Sequence, residues 1–283
     1  MLCKIGDVEV WRILEIHGPF LRPDELFPTA GPEVARVLED LVPGGLCRSS
    51  GKMILPIQGF LLKTPCHNIL VDSCVGNHKT LPGDPDWHQR SDNRFLSSLA
   101  AAGLAADDLD YVLCTHLHAD HIGWNTRLED GRWVPTFANA RYLMPAADEE
   151  MQRTRGSDAY QESVLPVVAA GQAELVTAGH KLGDHVTLVP TPGHTPGHVS
   201  VQIESGGRLA LITGDAIHTT AQCRHPEWHF KYDSDPEQAV TSRRSLLEQA
   251  AESRCLVLGS HFALPSLGRV GAQNGIFSWE ELD

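Results

Sequence analysis

The sequence predicts a protein of the α/β class. Short apolar strands alternate with helices along most of the chain. With 42% hydrophobic and 21% charged residues, the composition is that of an ordinary globular protein. A chain of 283 residues is long enough to bury one large core. We therefore predict a single domain over residues 1–283.

The first half of the chain begins with a predicted strand from Lys4 to Ile16. Residues 17–53 contain five prolines and a Gly-Gly pair, so we expect them to be irregular. Long irregular segments in compact domains often cover binding sites. Residues 17–53 are therefore a candidate lid, with Phe20, Leu21 and Phe27 as candidate pocket-covering residues.

The next elements are a hairpin, a helix and a strand. The hairpin is predicted from two apolar runs, Ile54 to Leu62 and Asn68 to Val71. The helix is predicted to begin with Ser91 or Asp92 as its N-cap and to end near Gly103. Its expected apolar face is formed by Phe95, Leu96, Leu99 and Ala100. A buried strand from Tyr111 to Thr115 follows.

The second half repeats this alternation. Strands are predicted near Thr187–Pro190, Val199–Ile203, Leu209–Thr213 and Cys255–Leu258. The best-marked helix has Asp235 as its N-cap and Pro236 at its first position, and it should end near Ala251.

Charge and targeting signals restrict the partners and the compartment. The chain has 23 Lys+Arg against 36 Asp+Glu and no evident basic patch, which argues against nucleic acids and anionic membranes as partners. The N-terminus lacks a signal-peptide pattern, and no apolar run is long enough for a membrane span. The seven cysteines are widely spaced and favour reduced thiols. We therefore expect a cytoplasmic protein.

The strongest chemical signal is the segment Thr115-His116-Leu117-His118-Ala119-Asp120-His121, which follows a predicted strand. Side chains two apart in an extended segment project to the same side, so His116 and His118 can bind one metal ion together. Asp120 and His121 lie where the chain turns and can reach a second ion. This spacing predicts a metal site.

Further ligand-type residues occur at later strand ends. His194 lies in a Pro-Gly-His-Thr-Pro-Gly-His run, Asp215 in Thr-Gly-Asp and His261 in Gly-Ser-His. A carboxylate such as Asp215 can bridge two cations, and His194 and His261 can each complete one coordination sphere. We expect His198, the second histidine of the run, to be structural.

These motifs resemble the metallo-beta-lactamase fold superfamily in order and separation, from about Ile54 to His261. The resemblance implies an αββα sandwich of two mixed sheets flanked by helices. It also implies His116, His118 and His194 on one ion, Asp120, His121 and His261 on a second, and Asp215 between them. Asp72 would support the ligands from a loop in which Cys74 replaces the family's usual glycine.

Two divalent ions held in this way supply a hydrolytic nucleophile. A hydroxide bridging them has a pKa near neutrality and can attack an electrophile while the metals stabilise the developing oxyanion. Zinc is the default metal for histidine and aspartate ligands, and iron, manganese or cobalt also suit them. Asp120 would bind the second metal and hold the hydroxide's proton.

Within the superfamily, the chain resembles N-acyl homoserine lactonases and methyl parathion hydrolase-like enzymes. The lactonases have a tyrosine three residues after the bridging aspartate, where this chain has His218. We expect His218 to be a catalytic hydrogen-bond donor to the substrate. An apolar wall for the substrate is expected from Trp124, Trp228, Phe230 and Phe262.

The sequence therefore predicts a dinuclear metal-dependent hydrolase that opens a lactone or cleaves a related carboxylic ester of a small molecule. The resemblance favours a homodimer. Three alternatives stay open: an organophosphate, aryl ester or thioester hydrolase of the same fold, a mononuclear iron dioxygenase of the persulfide type, and a non-catalytic metal-binding module.

Overall fold

The computed structural model describes residues 1–282. By its internal contacts the chain divides into two compact units. Unit 1 contains Met1–Glu15 and Ile57–His185, and unit 2 contains Ile16–Pro56 and the chain from Val186 onwards. No helix among the described residues is both long and apolar enough to cross a membrane. The single domain, the homodimer and the cytoplasmic location remain predictions.

The α/β class is confirmed, because both large sheets are mixed and helices alternate with their strands. The first ten strands are β1 (Cys3–Ile5), β2 (Val8–Pro19), β3 (Ile54–Lys63), β4 (Asn68–Val71), β5 (Tyr111–Leu113), β6 (Thr126–Glu129), β7 (Arg132–Pro135), β8 (Arg141–Pro145), β9 (Ala173–Val176) and β10 (Lys181–Leu182). The remaining strands are β11 (Val186–Pro190), β12 (Val199–Ser205), β13 (Arg208–Ile212), β14 (Leu256–Leu258), β15 (Leu267–Gln273) and β16 (Ile276–Glu281).

The helices are mostly short. They are α1 (Pro23–Leu26), α2 (Val34–Leu41), α3 (Arg94–Ala101), α4 (Ala119–Ile122), α5 (Ala146–Arg155), α6 (Asp158–Ser163), α7 (Leu165–Ala169), α8 (Ala221–Arg224) and α9 (Pro236–Ser253).

The first sheet has the strand order β1-β2-β3-β4-β5-β8-β9. Its central strands β4, β5 and β8 are parallel, with Val71 paired to Leu113. The carboxyl ends of parallel strands meet at one edge of a sheet. The loops that follow β4 and β5, which begin with Asp72 and Cys114, therefore lie next to each other in unit 1.

The strands of unit 2 lie side by side in the order β11-β12-β13-β14-β15-β16. β12 is antiparallel to both β11 and β13, so β11 and β13 run in the same direction, and β14 is parallel to β13. The carboxyl ends of β11, β13 and β14 consequently share one edge. Helix α9 packs on this sheet through Leu246, Leu247 and Ala250.

Several predicted elements agree with the structure. Asp235 caps α9 by accepting a hydrogen bond from the Gln238 amide, and Pro236 occupies the first helical position. The predicted strands of the second half correspond to β11, β12, β13 and β14.

Three local predictions were wrong. The strand predicted from Lys4 to Ile16 is broken by a turn at Gly6, where φ is +55°, and its two parts pair as β1 and β2. The N-cap position of α3 is Asn93 rather than Ser91 or Asp92, although the Asp92 carboxylate accepts a hydrogen bond from the Arg94 amide at 2.9 Å. Leu96 and Ala100 are exposed, because α3 buries only the stripe that contains Phe95 and Leu99.

The segment 17–53 is more regular than predicted. Strand β2 extends to Pro19, and α1 and α2 follow. Helix α2 places Val34 and Leu38 in a core cluster of unit 2, together with Phe27. The amphipathic spacing of α2 explains why a segment rich in proline still forms a helix between its prolines.

A close contact between two loops of unit 1 fixes the position of the histidine-rich segment. A Cβ atom on Gly123 would lie 1.7 Å from the carbonyl oxygen of Val75. The Gly123 amide donates to the Cys74 carbonyl at 2.7 Å, and the Ser73 amide donates to the His121 carbonyl at 2.7 Å. No side chain fits at position 123 unless one of these loops moves.

We predict that Gly123→Ala lowers the free energy of unfolding by about 3 kcal/mol or more, since an inserted methyl group must displace backbone. Urea unfolding followed by tryptophan fluorescence measures this change. Gly83→Ala is the matched control, because nothing lies within 4 Å of a Cβ atom there. Equal stability of the Gly123→Ala variant and the wild type would contradict the steric argument.

Candidate metal centre

In unit 1, the predicted ligands follow β5. Ring centroids of His116 and His118 lie 4.7 Å apart, as the extended spacing predicts, and those of His116 and His121 lie 4.1 Å apart. His121 follows Asp120 on the single turn of α4, and Asp120 Oδ2 lies 3.6 Å from His121 Nε2. The four predicted residues of this segment are therefore together in unit 1.

Asp72 orients two of these side chains, as the resemblance implied. It is buried at the end of β4, and its Oδ2 accepts a hydrogen bond from His121 Nδ1 at 2.9 Å. The same oxygen accepts from the Thr115 hydroxyl at 2.9 Å. Because that hydroxyl donates to Asp72, it accepts from His116 Nδ1, which lies 3.1 Å away. Both rings therefore keep Nε2 for a ligand.

Two residues of α5 that the sequence analysis missed hold the backbone between His116 and His118. The Leu117 amide donates to Asp148 Oδ2 at 3.1 Å, and the Leu117 carbonyl accepts from Gln152 Nε2 at 2.8 Å. Asp148 and Gln152 are both buried. They keep the segment extended, which is the conformation that puts two histidines on one side.

In unit 2, the predicted ligands follow three strands that end at the same sheet edge. His194 follows β11, Asp215 follows β13 and His261 follows β14. All three are buried. His194 Nε2 lies 3.3 Å from Asp215 Oδ2, and His261 Nε2 lies 3.1 Å from Asp215 Oδ1. Each oxygen of the Asp215 carboxylate therefore faces a histidine nitrogen.

His218 joins this set. Its Nε2 lies 3.2 Å from Asp215 Oδ2, and its ring stacks on Phe230 with centroids 3.4 Å apart. The Nε2 and carboxylate atoms of His194, Asp215 and His218 lie within 4.8 Å of one another. The His218 backbone amide donates to the buried Gln222 side chain at 2.8 Å. Sequence reasoning identified His218 but not Gln222.

In His261 and His194, the ring nitrogen that faces away from Asp215 also makes a hydrogen bond. His261 Nδ1 donates to the Pro56 carbonyl at 2.9 Å, and His194 Nδ1 donates to Asp233 Oδ1 at 2.9 Å. Asp233 was missed, because 39 residues separate it from His194 in the sequence. A histidine that ligates a metal commonly donates its other ring N–H to a carboxylate or carbonyl in this way.

His198 has the structural role that the sequence predicted. Its Nε2 accepts a hydrogen bond from the Asp215 amide at 2.8 Å. Its Nδ1 therefore carries the proton and donates to the Thr191 hydroxyl at 2.8 Å. His198 therefore uses Nε2, the nitrogen through which a histidine would coordinate a metal here, to fix the backbone of Asp215.

Burial and nearby carboxylates separate His194 from His218. Burial opposes protonation of both rings. At His194, hydrogen bonds with Asp215 and Asp233 outweigh burial and raise its pKa to about 9. At His218, burial prevails and lowers the pKa to about 4. The His194 position therefore favours positive charge, whereas His218 is neutral at physiological pH.

The predicted apolar wall is only partly brought together. Phe27 lies with its ring centroid 5.6 Å from those of both Trp228 and Phe230, and Phe20 packs against the same cluster. Phe262 belongs to another cluster of unit 2 and contacts Trp279. Trp124 lies in unit 1, where it stacks on Phe95 and donates to Glu15.

The donor set suits divalent transition metals. A tetrahedral ion with bonds of about 2.0–2.1 Å to nitrogen and oxygen has ligand atoms roughly 3.3 Å apart. The distances of 3.3 and 3.1 Å from the Asp215 oxygens to His194 Nε2 and His261 Nε2 match this separation. Buried histidine and carboxylate clusters at strand ends, with the rings oriented by hydrogen bonds, define a metal-dependent enzyme of the α/β class.

The chain belongs to the metallo-beta-lactamase superfamily and is a hydrolase of that superfamily, because residues 56–261 match the model of this family. It is 28% identical over 232 residues to an N-acyl homoserine lactonase of Bacillus cereus. The aligned region covers 78% of this chain and 84% of the relative.

Solved structures agree with this fold. AidC, described as a dizinc quorum-quenching lactonase in complex with a product, superposes with a TM-score of 0.81 at 22% identity, over 99% of this chain and 96% of that one. The hydrolase AbOPH of the beta lactamase superfamily gives a TM-score of 0.82 at 23% identity, over 99% and 96%. The predicted metallo-beta-lactamase fold is confirmed.

The pKa of His194 predicts how the metal-free protein responds to pH. The folded pKa of about 9 lies above the ordinary 6.5, so the stabilisation by protonated His194 is complete below pH 6.5 and is lost as the pH rises through 9. The loss should be of the order of 3 kcal/mol. His218 acts in the opposite sense, since its lowered pKa reduces stability as the pH falls from 6.5 towards 4.

Urea unfolding of chelator-treated protein between pH 6 and about 9.5 checks this prediction. His194→Gln should flatten the alkaline loss, whereas the exposed His17→Gln should leave it unchanged. An alkaline loss that is equal in the wild type and His194→Gln would contradict the assignment.

Proposed function

We propose that the protein is a dinuclear metal-dependent hydrolase that opens a lactone or cleaves a related carboxylic ester of a small molecule. The observation that carries this proposal is the Asp215 carboxylate, which has histidine nitrogens opposite both of its oxygens. A carboxylate surrounded in this way is suited to bridge two cations.

The proposed ligand sets follow the family motifs. One ion would be held by His116, His118 and His194, the other by Asp120, His121 and His261, with Asp215 shared. All seven residues lie within the 56–261 stretch that matches the family model. The hydrogen-bonded Nδ1 atoms of His116, His121, His194 and His261 support coordination through Nε2.

Zinc is the proposed metal, because the ligands are nitrogen and oxygen donors and the related AidC is described as a dizinc enzyme. Iron, manganese and cobalt are the alternatives that these donors also accept. When bound, the two ions would lower the pKa of a water molecule towards neutrality and polarise the carbonyl oxygen of the substrate.

Asp120 is the proposed proton acceptor. Its side chain keeps 16% of its surface exposed, whereas that of His121 beside it is 1% exposed. A carboxylate that is reachable from solvent can bind the attacking water and take its proton. Asp120 would thus act both as a ligand and in proton transfer.

His218 is the proposed hydrogen-bond donor to the substrate. The low pKa of His218 keeps the ring neutral, and its Nε2 faces a carboxylate, so this nitrogen carries the proton. Stacking on Phe230 fixes the ring plane. From this position Nε2–H, shared between Asp215 Oδ2 and the substrate, would stabilise the negative charge that develops on the carbonyl oxygen during attack.

Apolar side chains beside His261 support a substrate with an acyl or alkyl group. A small cleft that His261 lines in part also includes Leu38, Val42, Met53 and Leu55 among its lining residues. Three of these come from the segment 17–53, which supports the proposal that this segment covers the substrate. The lactonase relative from B. cereus acts on N-acyl homoserine lactones, which carry such a group.

Replacement of the proposed ligands tests the metal centre. We predict that His116→Ala and Asp215→Ala each reduce bound metal and lower kcat/KM by more than about 100-fold, because removing a ligand costs more than removing its hydrogen-bonded support. Metal content is measured by elemental analysis, and activity on lactones, aryl esters, thioesters and phosphotriesters. His17→Ala is the exposed control.

Normal turnover with metal retained in either variant would contradict the proposed centre. One iron per chain with oxygen consumption would instead identify the dioxygenase alternative. Metal-loaded wild type that turns over none of these substrates would favour the non-catalytic module.

Replacement of His218 separates a donor from a ligand. We predict that His218→Phe keeps the stacking on Phe230 and the wild-type metal content but lowers kcat by roughly 10²–10³-fold, as expected for loss of one oxyanion donor. His218→Gln restores an N–H group and should recover part of the rate. Loss of metal in His218→Phe would show that this residue acts as a ligand instead.

A further inference from the structure

A buried ion pair lies behind His194 in unit 2. Arg243, on α9, is fully buried and is the largest such side chain among the described residues. Its Nη2 lies 3.6 Å from Oδ2 of Asp233, whose side chain is also fully buried. Removing two charges from water usually costs more than their attraction returns, so an ion pair at this place is poorly explained by stability alone.

Asp233 connects this pair to His194. Its Oδ1 accepts from His194 Nδ1 at 2.9 Å, and its Oδ2 accepts from the Phe230 amide at 2.9 Å. With both oxygens engaged, the carboxylate cannot rotate. The His194 ring is therefore held with its proton on Nδ1 and its Nε2 directed at Asp215.

Arg243 connects the same pair to Asp215. Its Nε donates to the carbonyl of Ala216, the residue after Asp215, at 2.8 Å. Its Nη1 donates to the carbonyls of Pro226 and Trp228 at 2.8 and 2.9 Å. A single planar guanidinium thus contacts the backbone next to Asp215, the segment leading to Phe230, and Asp233.

We propose that Asp233 and Arg243 are positioning residues for metal binding: Asp233 makes His194 an Nε2 ligand, and Arg243 fixes Asp233 relative to Asp215. This inference rests on the proposed function, in which His194 and Asp215 bind metal. A carboxylate behind a ligating histidine fixes the tautomer and raises the basicity of the ligand nitrogen, and its loss typically weakens metal affinity about 10–100-fold.

The isosteric variant Asp233→Asn distinguishes this role from simple packing. An asparagine offers one acceptor and one donor where aspartate offers two acceptors. The backbone amide of Phe230 can only donate, so it takes the amide oxygen. The NH₂ group then faces His194 Nδ1 and favours a proton on Nε2, which blocks coordination without changing side-chain volume.

The experiment is a Zn²⁺ and Co²⁺ titration of chelator-stripped full-length protein, followed by competition with a chromophoric chelator. We expect wild type to bind two ions and Asp233→Asn to bind one of them about 10–100-fold more weakly. The d–d absorption spectrum of Co²⁺-loaded Asp233→Asn should also differ from that of the Co²⁺-loaded wild type. Asp235→Asn, which preserves the N-cap of α9, is the matched control.

A second pair of variants tests Arg243. Arg243→Lys removes the fork that reaches Ala216 and Asp233, so the affinity for the same ion should fall. Arg244→Lys changes the neighbouring side chain, which is 47% exposed and pairs with Glu227, and should leave both affinities unchanged.

One measurement needs no variant. In ¹⁵N-histidine NMR spectra of the zinc-loaded wild type, His194 should carry its proton on Nδ1. Two bound ions with unchanged affinities in a folded Asp233→Asn, or an Nε2-protonated His194, would overturn the positioning role and leave the proposed function intact. A wild type that binds no metal would overturn both.

Discussion

The orientation of the histidine rings is the constraint on which the candidate centre depends. An imidazole has two nitrogens, and it can present a lone pair to a metal only if the other nitrogen holds the proton. In this chain the proton is held at Nδ1 by acceptors of different kinds: Asp72 for His121, Asp233 for His194 and the Pro56 carbonyl for His261. Much of the polar structure around the site consists of these acceptors.

The sequence predicted the ligand-type residues but not what holds them. His116, His118 and His121 could be identified because their spacing is local, and His194, Asp215 and His261 because each follows a strand. Asp233, Asp148 and Gln152 could not, since each acts on a residue more than 25 positions away that only the tertiary fold brings near. Arg243 could not either, because it lies on α9 whereas Asp233 and Ala216, which it contacts, lie outside that helix. Single aspartates and arginines carry no local pattern.

Backbone geometry explains other differences between prediction and structure. Cys74 adopts φ of +52°, a conformation that side chains disfavour, which accounts for the glycine usual at this position of the family. The strand predicted from Lys4 to Ile16 contained Gly6, and the apolar alternation continued across it, so the turn was hidden. Capped α9 was predicted well because its signals, Asp235 and Pro236, are local.

The difference between His194 and His218 shows how one buried environment can give two chemistries. Both rings face the same oxygen of Asp215, at 3.3 and 3.2 Å. His194 also donates a hydrogen bond to a second carboxylate, Asp233, whereas His218 has the ring of Phe230 against its face. The first arrangement attracts positive charge and suits a metal ligand. The second keeps the imidazole neutral with a proton to offer, which suits a donor to an oxyanion.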